Sequence, residues 1–556
     1  MSDFRPTPAS IPPEHCNFRV TLPEGSNLPV SIHPLNPVQF VLRGATIYPH
    51  KLALAHPDAE SPVAFTYSVW AQRIQNLAYA LIWSGIKPGE RVAIVAPNTP
   101  MMADALQGVL AARAILVPIN IRLTKNEVTY ILEHSGAKLI LVDHEFVHLV
   151  SDAKVPVIVC KDTGRFGCPY EEFLSKGRQH SNERGWPGLE MEQDENVGAL
   201  LCYTSGTTGR PKGAVLTLRG LYLGAVGNAY EARMTPDSVY LWVLPMFHVA
   251  GWTFPWVITF SFATQITQRA VSTPHIWRHL RHSGVTHYCG APTVQIGIVT
   301  HPDAVKLEKA VNTIAGGSAP TAHLIGELEK KNIHITYGPL TRNYEQPAWK
   351  DLSLEERAKF MARQGHAFST AQEIRVVYQD DNEELTDVPA DGKTVGEVVA
   401  RGNTVMKEYF RDPDATKKAF RGGYFGTGDL AVLHEDGSIS IQDRSKDIII
   451  SGGENASSLA IEQELAEHPA VHEVAVVARP HPKWGERPMA FVILTPAAEK
   501  EYAGRHKEFE RDLKTFAKTR LPGFACPEWV QVVDELPKTS TGKIMKTALR
   551  GFVARL

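Results

Sequence analysis

Apolar residues in the first 150 positions switch between helical and extended spacing. Trp70, Ile74, Leu77 and Leu81 recur at helical intervals, and Gly85 follows where such a helix would end. The same cycle repeats in the segments that come next: strands at Val92–Val95, Ile115–Ile119 and Leu139–Val142, and helices at Met101–Ala112 and Lys125–His134. Strands that alternate with helices predict α/β layers in which the sheets are largely parallel.

A second α/β unit begins after Asp443. Its predicted elements are strands at Val474–Ala478, Ala490–Leu494 and Val530–Val533 and a helix at Glu508–Lys518. Because 556 residues are too many for one core, we predict a large domain over residues 1–443 and a small domain over residues 444–556. The charged segment Asp443–Asp447 is either a hinge between them or an exposed turn. The polar segment Asp162–Asn196 predicts no regular element.

Composition narrows the class of protein. Hydrophobic residues make up 43% and charged residues 21% of the chain, as in ordinary soluble proteins. A formal net charge of −2 gives no basis for binding nucleic acid or an anionic membrane. The six cysteines are scattered without a CxxC pair, which argues against a disulfide framework and a zinc site and fits a reducing compartment. Leu241–Gln268 lacks Asp, Glu, Lys and Arg, but prolines and Gly251 interrupt it, so we predict a buried wall instead of a membrane span.

The most chemically suggestive segment is Tyr203–Gly213, YTSGTTGRPKG. Its hydroxyl groups, glycines and basic residues can bind the phosphates of a nucleotide through side chains and free backbone N–H groups. The spacing is not that of a Walker A motif, because Pro211 stands where that motif has its second glycine. Apolar segments before and after it, Ala199–Tyr203 and Ala214–Leu216, favour a loop held in one position over a flexible surface turn.

Four later segments contain further polar residues that are capable of chemistry. In chain order they are AGGSAP (Ala315–Pro320), YFGTGDL (Tyr424–Leu430), DRSKDIIISGGEN (Asp443–Asn455) and PKTSTGKIMK (Pro537–Lys546). The glycines of the first segment allow backbone to approach a flat ring. Asp429 follows two glycine-bearing turns, where it can accept hydrogen bonds from a ribose diol, and Lys543 stands behind a Thr/Ser/Gly loop. Taken singly, each of the last three segments is better explained by a solvent-exposed turn.

Together and in this order, these segments resemble the adenylate-forming superfamily of acyl-CoA synthetases, 4-coumarate–CoA ligases, luciferases and peptide-synthetase adenylation domains. The resemblance covers nearly the whole chain. LPMFHVAGW (Leu244–Trp252) and HPKWGERPMAFVIL (His481–Leu494) are most similar to fatty-acyl and related acyl-CoA synthetases. It implies activation of a carboxylic acid by ATP and Mg²⁺ to an acyl-adenylate, then transfer to CoA with AMP and pyrophosphate as products. The uncharged wall favours a fatty, apolar or aromatic acid.

The resemblance also implies a role for each motif. The β- and γ-phosphates are cradled by Thr204, Ser205, Gly206, Thr207, Thr208, Gly209 and Lys212. The adenine is lined by Gly316, Gly317, Ser318, Ala319, Pro320 and Tyr337, and the ribose is held by Asp429 and Arg444. The catalytic residue is Lys543, which reaches the α-phosphate and the substrate carboxylate, and the hinge is Lys446. The pantetheine channel of CoA is lined by Gly452 and Gly453, and the acyl pocket is bordered by His248 and Trp252.

One segment departs from the family pattern. The family carries Tyr-Gly-x-Thr-Glu, whose Thr faces the α-phosphate and whose Glu helps to hold Mg²⁺. Here Tyr337-Gly338 is followed by Pro339 and no Thr-Glu pair, so the chain is several residues shorter than related synthetases. Three explanations stay open: a gene-model or splicing artefact, a true deletion in a weak or inactive relative, or replacement by Glu345 or Thr341. The metal ligands therefore stay unassigned.

Two other functions stay open at this point. One is an acid–AMP ligase that passes its acyl group to a carrier protein, and the other is an ATP- or acyl-binding protein without turnover. Ala554-Arg555-Leu556 has the small–basic–Leu form of a peroxisomal signal, which predicts the peroxisome as location and an import receptor as partner. Without that signal we expect a cytoplasmic enzyme. We expect neither a nucleic-acid partner nor a transmembrane segment.

Overall fold

A computed structural model of the chain shows two seven-stranded sheets with helices between them and outside them. It describes residues 7–14, 16–29, 32–161, 167–182, 184–204, 210–248, 251, 253–316, 320–337, 340–371, 373–379, 384–539 and 543–555. Its α-helices are α1 Val38–Ile47, α2 Tyr67–Trp83, α3 Pro100–Ala111, α4 Lys125–Ser135, α5 Pro169–Ser181, α6 Leu218–Glu231, α7 Phe254–Phe260, α8 Thr273–His282, α9 Pro292–Thr300, α10 Ala322–Lys330, α11 Leu354–Met361, α12 Pro413–Ala419, α13 Ser458–Ala466, α14 Pro496–Glu501, α15 His506–Arg520 and α16 Lys546–Val553.

The strands follow the same chain order. They are β1 Leu52–His56, β2 Val63–Thr66, β3 Arg91–Val95, β4 Ile115–Pro118, β5 Leu139–Asp143, β6 Val157–Cys160, β7 Gly198–Thr204, β8 Lys212–Thr217, β9 Val239–Leu241, β10 Thr264–Ile266, β11 His287–Cys289, β12 Val311–Ala315, β13 Ile333–Tyr337, β14 Thr341–Arg342, β15 His366–Ala367, β16 Glu373–Val377, β17 Val395–Arg401, β18 Glu408–Tyr409, β19 Phe420–Arg421, β20 Tyr424–Leu433, β21 Ile439–Arg444, β22 Ile449–Ser451, β23 Glu454–Ala456, β24 Val471–His481, β25 Gly485–Leu494 and β26 Trp529–Val532. The helices and strands predicted from periodicity are therefore confirmed to within a few residues at their ends.

The two large sheets share one core. The first has the order β13-β12-β11-β9-β10-β1-β2 and the second β18-β8-β7-β4-β3-β5-β6. Residues of both sheets pack on the buried helices α2 and α3 between them, while α8 to α10 cover the outer face of the first and α4 that of the second. Alternating layers of sheet and helix are what βα repeats produce when each helix buries an apolar face.

The expectation of largely parallel sheets holds for only part of the molecule. Neighbouring strands of the two large sheets pair in parallel, except β2 with β1 in the first sheet and β8 with both β7 and β18 in the second. The sheet of β16, β17, β19, β20 and β21 is antiparallel throughout. Short turns join β19 to β20 and β20 to β21, and such turns produce antiparallel neighbours, whereas β18 and α12 lie between β17 and β19.

The C-terminal elements form a small domain with a core of its own. Strands β22 to β26 make one sheet, and the clusters that pack on its two faces contain residues from Ile449 onwards only. A large and a small domain are therefore observed, and the exact boundary after Asp443 stays a prediction. Within the described residues, none of the helices has the length and apolar character needed to cross a membrane.

One helix was missed by the sequence pattern. The segment Asp162–Asn196, predicted to be irregular, contains α5, which packs on α2. A Cβ at Gly177 would lie 1.9 Å from the carbonyl oxygen of Asn76, so only glycine permits this close approach. Glu171 on α5 accepts a salt bridge from buried Arg73 at 2.8 Å. Tyr170, Phe173, Leu174 and Gly177 are buried at helical spacing, a short signal that the prediction overlooked among the polar residues of this segment.

The end of the large domain is joined to α13 by hydrogen bonds. Asp443 Oδ2 accepts from the backbone N–H of Ser458 at 2.6 Å and of Leu459 at 3.3 Å. These N–H groups begin α13 and have no partner inside the helix, so a carboxylate there completes the helix end. Lys546 Nζ also forms a salt bridge of 2.8 Å with Glu462 on the same helix, α13. We call this contact the Asp443 cap.

Candidate active site

The loop predicted to bind phosphate is framed by two antiparallel strands. Thr204 at the end of β7 pairs with Lys212 at the start of β8, and Thr204 Oγ1 donates to the carbonyl oxygen of Lys212 at 3.4 Å. Both side chains are exposed. Residues 205–209, which include the predicted ligands Ser205 and Thr207, lie outside the described residues. The prediction that apolar strands hold both ends of this loop is confirmed.

Aromatic side chains hold the two ends of the loop, and we call Tyr130, His134 and Tyr203 the aromatic wall. Tyr203, directly before the loop, shares a 2.8 Å hydrogen bond between its hydroxyl group and Nδ1 of His134. Tyr130 donates to the carbonyl oxygen of Pro211 at 3.3 Å, and the Arg210 guanidinium lies 5.2 Å from the centre of the Tyr130 ring. Both flanks of the loop are therefore fixed to α4. Sequence analysis missed this wall, because its members are separated along the chain.

The predicted ribose ligands face each other on neighbouring strands. Asp429 on β20 is the register partner of Arg444 on β21, and Oδ1 of Asp429 lies 3.0 Å from Nε of Arg444. Both side chains remain partly open to solvent. The expected position of Asp429 after two turns is wrong, because β20 is continuous from Tyr424 to Leu433. Its register with both neighbours shifts near Asp429, which keeps the glycine-rich sequence within a strand.

Lys543 projects from the small domain to the ribose pair. Its loop is closed by hydrogen bonds to Thr539, from Lys543 N to Oγ1 at 3.1 Å and from Thr539 N to the Lys543 carbonyl oxygen at 2.6 Å. Burial and the positive charge of Arg444 lower the pKa of Lys543 to about 8, while the carboxylates of Asp429 and Asp447 act in the opposite direction. The ammonium group is thus close to the groups that would hold a nucleotide.

His248 of the large domain borders the same space. Burial, with a smaller contribution from the charge of Lys543, lowers the pKa of His248 to about 4, so its ring is neutral near pH 7. Asn98 holds the segment that leads to this histidine. It donates from Nδ2 to the carbonyl oxygens of Trp242 at 3.2 Å and Leu244 at 3.0 Å, and accepts from Met246 N at 2.7 Å. Asn98 follows β3 and Trp242 follows β9, so one side chain ties the two large sheets together.

The remaining predicted site residues are only partly described. Gly316 is buried after β12, and the backbone of Tyr337 ends the adjacent strand β13. Gly317, Ser318, Ala319 and Trp252 lie outside the described residues. The uncharged wall predicted over Leu241–Gln268 is confirmed as buried in its described part.

Lys446 follows β21, and burial lowers its pKa. The Gly452-Gly453 pair forms the turn between β22 and β23.

The residues around the shortened segment do not assemble a metal site. Glu345 is half exposed and pairs with Arg357 at 3.8 Å, and Thr341 is buried in β14 opposite Ala367. The nearby carboxylate of Glu231 accepts from the Tyr344 hydroxyl group at 2.6 Å and lies 3.7 Å from Nε of Arg342. In the described part of the chain, three or more His, Cys, Asp or Glu side chains do not converge anywhere. Glu231 and Glu345 are therefore each engaged by neighbouring protein side chains.

Comparisons with known proteins establish the family of this chain. A family model for AMP-binding enzymes matches residues 42–410, and one for the AMP-binding enzyme C-terminal domain matches residues 460–543. A peroxisomal acetate/butyrate–CoA ligase of Arabidopsis thaliana is 38% identical over 94% of this chain and 95% of its own. A peroxisomal trans-cinnamate:CoA ligase of Petunia hybrida is 35% identical over 93% and 94%. An ATP-bound RpMatB–BxBclM chimera superimposes with a TM-score of 0.80 at 25% identity, over 94% and 99% of the two chains.

The chain belongs to the AMP-binding enzyme family, which confirms the resemblance read from its motifs. Within that family it is an acid–thiol ligase, which activates an acid with ATP and forms acyl-CoA. Transfer to a carrier protein, which the motifs alone left open, is not favoured, because the similar curated proteins are named as CoA ligases.

Proposed function

We propose that this protein joins CoA to an apolar or aromatic monocarboxylic acid through an acyl-adenylate, with Lys543 as the catalytic residue. The proposal is carried by the electrostatic interaction of Lys543, from the small domain, with His248, Asp429 and Arg444 of the preceding domain, together with the 3.0 Å ion pair of Asp429 and Arg444. The acid class is supported by the uncharged buried wall beside His248. It agrees with the acids named for the similar relatives, acetate, butyrate and cinnamate.

Lys543 supplies the positive charge that the first step requires. An oxygen of the substrate carboxylate attacks the α-phosphorus of ATP, the bond to the β-phosphate oxygen breaks, and pyrophosphate leaves with the electron pair. Two anions approach in this step, so a cation between them lowers the barrier. Binding of these anions also raises the pKa of Lys543 from about 8, which keeps the ammonium group charged during the reaction.

The other predicted residues would position the nucleotide. Asp429 accepts from the ribose hydroxyl groups, and Arg444 fixes that carboxylate through its 3.0 Å ion pair. Thr204 to Gly209 and Lys212 receive the β- and γ-phosphates, supported by the aromatic wall behind the loop. Gly316 to Pro320 and Tyr337 line the adenine. The neutral ring of His248, with Trp252, borders the acyl group without adding a charge to the pocket.

The second step requires a different arrangement of the small domain. The CoA thiolate attacks the acyl carbon, and AMP leaves with the electrons of the carbon–oxygen bond. A turn at Lys446 would withdraw Lys543 and bring the Gly452-Gly453 hairpin to the site as the wall of the pantetheine channel. Lys446 is supported as the pivot by its place directly after β21, between the ribose ligand Arg444 and the first strand of the small domain.

Mg²⁺ would enter bound to ATP, as part of the substrate. Of the carboxylates near the shortened segment, Glu231 pairs with Arg342 and Glu345 pairs with Arg357. The engagement of Glu345 by Arg357 also favours a second candidate: an enzyme of low turnover, whose adenylation rate is limited by the missing Thr-Glu pair.

The main proposal is tested by incubating the purified protein with ATP, Mg²⁺, CoA and a panel of carboxylic acids. Formation of acyl-CoA with equimolar pyrophosphate is expected for at least one apolar or aromatic acid. Binding of ATP without pyrophosphate release from any acid would contradict it.

The second candidate is tested by inserting Leu-Thr-Glu-Thr-Tyr-Gly after Gly338. Turnover should rise with this insertion and not with the matched Leu-Thr-Gln-Thr-Tyr-Gly insertion, which has the same length without the carboxylate. Equal turnover of the two inserted proteins would show that the carboxylate is not what limits the rate.

The proposed location is the peroxisome, entered through recognition of Ala554-Arg555-Leu556 by an import receptor. The support is the form of this tripeptide and the peroxisomal names of several similar relatives. A fluorescent protein fused before the full chain should enter peroxisomes. The same fusion without the last three residues should stay in the cytoplasm, and uptake of both would contradict the proposed signal.

A further inference from the structure

Arg487 on β25 connects two loops of the small domain that are distant in sequence. Its Nη1 donates to Ser451 Oγ at 3.0 Å, next to the Gly452-Gly453 hairpin. Nη1 and Nη2 also donate to three carbonyl oxygens of the turn after α15, those of Gly523 at 3.1 Å, Phe524 at 3.0 Å and Cys526 at 3.1 Å. Nε completes the set with Glu528 at 3.3 Å.

This arrangement fixes the hairpin in a way that other side chains cannot reproduce. The Arg487 side chain is only 12% exposed and all three of its nitrogen atoms are bonded. A planar guanidinium group offers five donors in a fixed geometry, whereas lysine offers one point charge. Ser451 is buried, so its hydroxyl group depends on a protein partner.

Neighbours of Arg487 hold the same hairpin through backbone contacts. Gly452 N donates to the Trp484 carbonyl oxygen at 2.8 Å, and Ile450 N donates to Glu486 Oε2 at 2.9 Å. Gly452 has a φ of 66°, and a Cβ there would lie 3.0 Å from the Trp484 ring. The hairpin is therefore held against the start of β25, and Arg487 connects it to the turn at residues 523–526.

We infer that Arg487 is a positioning residue for the thioester-forming step, because it holds the hairpin that would wall the pantetheine channel. The inference rests on the proposed role of Gly452-Gly453. Arg487 makes none of the contacts described for Lys543, so the adenylation step does not depend on it. The reaction geometry of the thiol does depend on it, since a displacement of about 1 Å at a reacting group can cost on the order of a hundred-fold in rate.

The experiment measures the two half-reactions separately in the full-length protein. Adenylation is followed by ATP–pyrophosphate exchange, and the thioester step by single turnover of chemically prepared acyl-adenylate with CoA. Arg487→Ala should lose about ten- to a hundred-fold in the thioester step, with a raised KM for CoA, and keep its exchange rate. Arg487→Lys should recover part of the loss. Arg479→Ala is the matched control, because Arg479 lies opposite Arg487 on β24 but contacts Trp529 instead of the hairpin.

Ser451→Ala keeps the inference testable if Arg487→Ala does not fold, because it removes only the hairpin's bond to Arg487. It should show the same selective loss on a smaller scale. Equal losses in both half-reactions, or no loss in either, would overturn the inference. Gly452→Val tests the channel itself: if it leaves the thioester step intact, the proposed channel fails. If Gly452→Val impairs that step while Arg487→Ala and Ser451→Ala do not, only the role of Arg487 fails.

Discussion

Arg122 of the large domain donates a hydrogen bond from Nη1 to the carbonyl oxygen of Thr539 in the Lys543 loop, over 3.4 Å. The contact joins the two domains while Lys543 lies at the ribose pair. Arg122 itself is held by an Asn120 turn, in which Arg122 N donates to Oδ1 at 3.0 Å. The contact thus links a fixed turn of the large domain to the loop that carries the catalytic residue.

We expect Arg122→Ala to weaken adenylation about two- to five-fold, the effect of losing one partly exposed hydrogen bond of about 0.5–1 kcal/mol. The measurement is kcat/KM for ATP–pyrophosphate exchange. Arg281→Ala, at an exposed position on α8, serves as control and should match the unmodified enzyme. If Arg122→Ala slows only the thioester-forming step, Arg122 acts in the reaction with CoA instead of in adenylation.

Lys543→Ala should lower the adenylation rate about a hundred- to a thousand-fold, because removal of one well-placed group that stabilises transition-state charge costs about 2.7–4 kcal/mol. Lys538→Ala is the control from the same loop, since Lys538 pairs with Glu473 at 2.8 Å within the small domain. If Lys543→Ala keeps a near-normal rate of ATP–pyrophosphate exchange, Lys543 is not the catalytic residue of adenylation.

The pH dependence of adenylation should reflect the protonation state of Lys543. The lysine acts as a cation and its pKa lies at about 8 in the unliganded protein, so kcat/KM should fall as the pH rises through about 8. Bound anions raise this pKa, so the fall in kcat should occur at a higher pH. Pyrophosphate exchange from pH 6.5 to 10 measures both. In Lys543→Arg, which stays charged, the alkaline fall of whatever activity remains should be absent.

Asn98→Ala should raise the KM for the acid and also destabilise the fold. The substitution leaves the N–H group of Met246 and the carbonyl oxygen of Leu244 without their partner, at a cost of about 1–3 kcal/mol, while the carbonyl oxygen of Trp242 keeps its bond from Gln268 at 3.3 Å. Chemical denaturation measures the stability and steady-state kinetics the KM. Asn36→Ala is the matched control: Asn36 is also buried and bonds to Val38 N, away from the site. An equal change in KM in both variants would refute a local role for Asn98.

Elements with regular apolar spacing could be predicted from the sequence, because burial of one face imposes that spacing. Thus the helix around Trp70–Leu81 was found, as were strands β3, β4, β5 and β7 of the large domain and β24, β25 and β26 of the small one. The helix α5 was not found, because the helical spacing of its few apolar residues was overlooked among many polar ones. Its position against α2 depends on the close approach at Gly177 and on the buried pair of Arg73 and Glu171, which are long-range contacts that no local spacing reveals.

The site was predictable where short motifs contain the chemistry. Asp429 and Arg444 were assigned from separate motifs, and the register of β20 with β21 brings them together. Asn98, Arg122 and the wall of Tyr130, His134 and Tyr203 were not assigned. Their side chains act through backbone carbonyl groups or through each other across 69 or more positions, so no local spacing reveals them.

The Asp443 cap has a consequence for how the enzyme passes between its two steps. A carboxylate bonded to the first N–H groups of α13 cannot follow a turn of the small domain continuously, because these bonds are either made or broken. We therefore expect the closed form to be a discrete state separated by a barrier from the next, with no gradual opening between them. Such a latch would keep the reactive anhydride enclosed, and shielded from hydrolysis, for as long as the helix end remains capped.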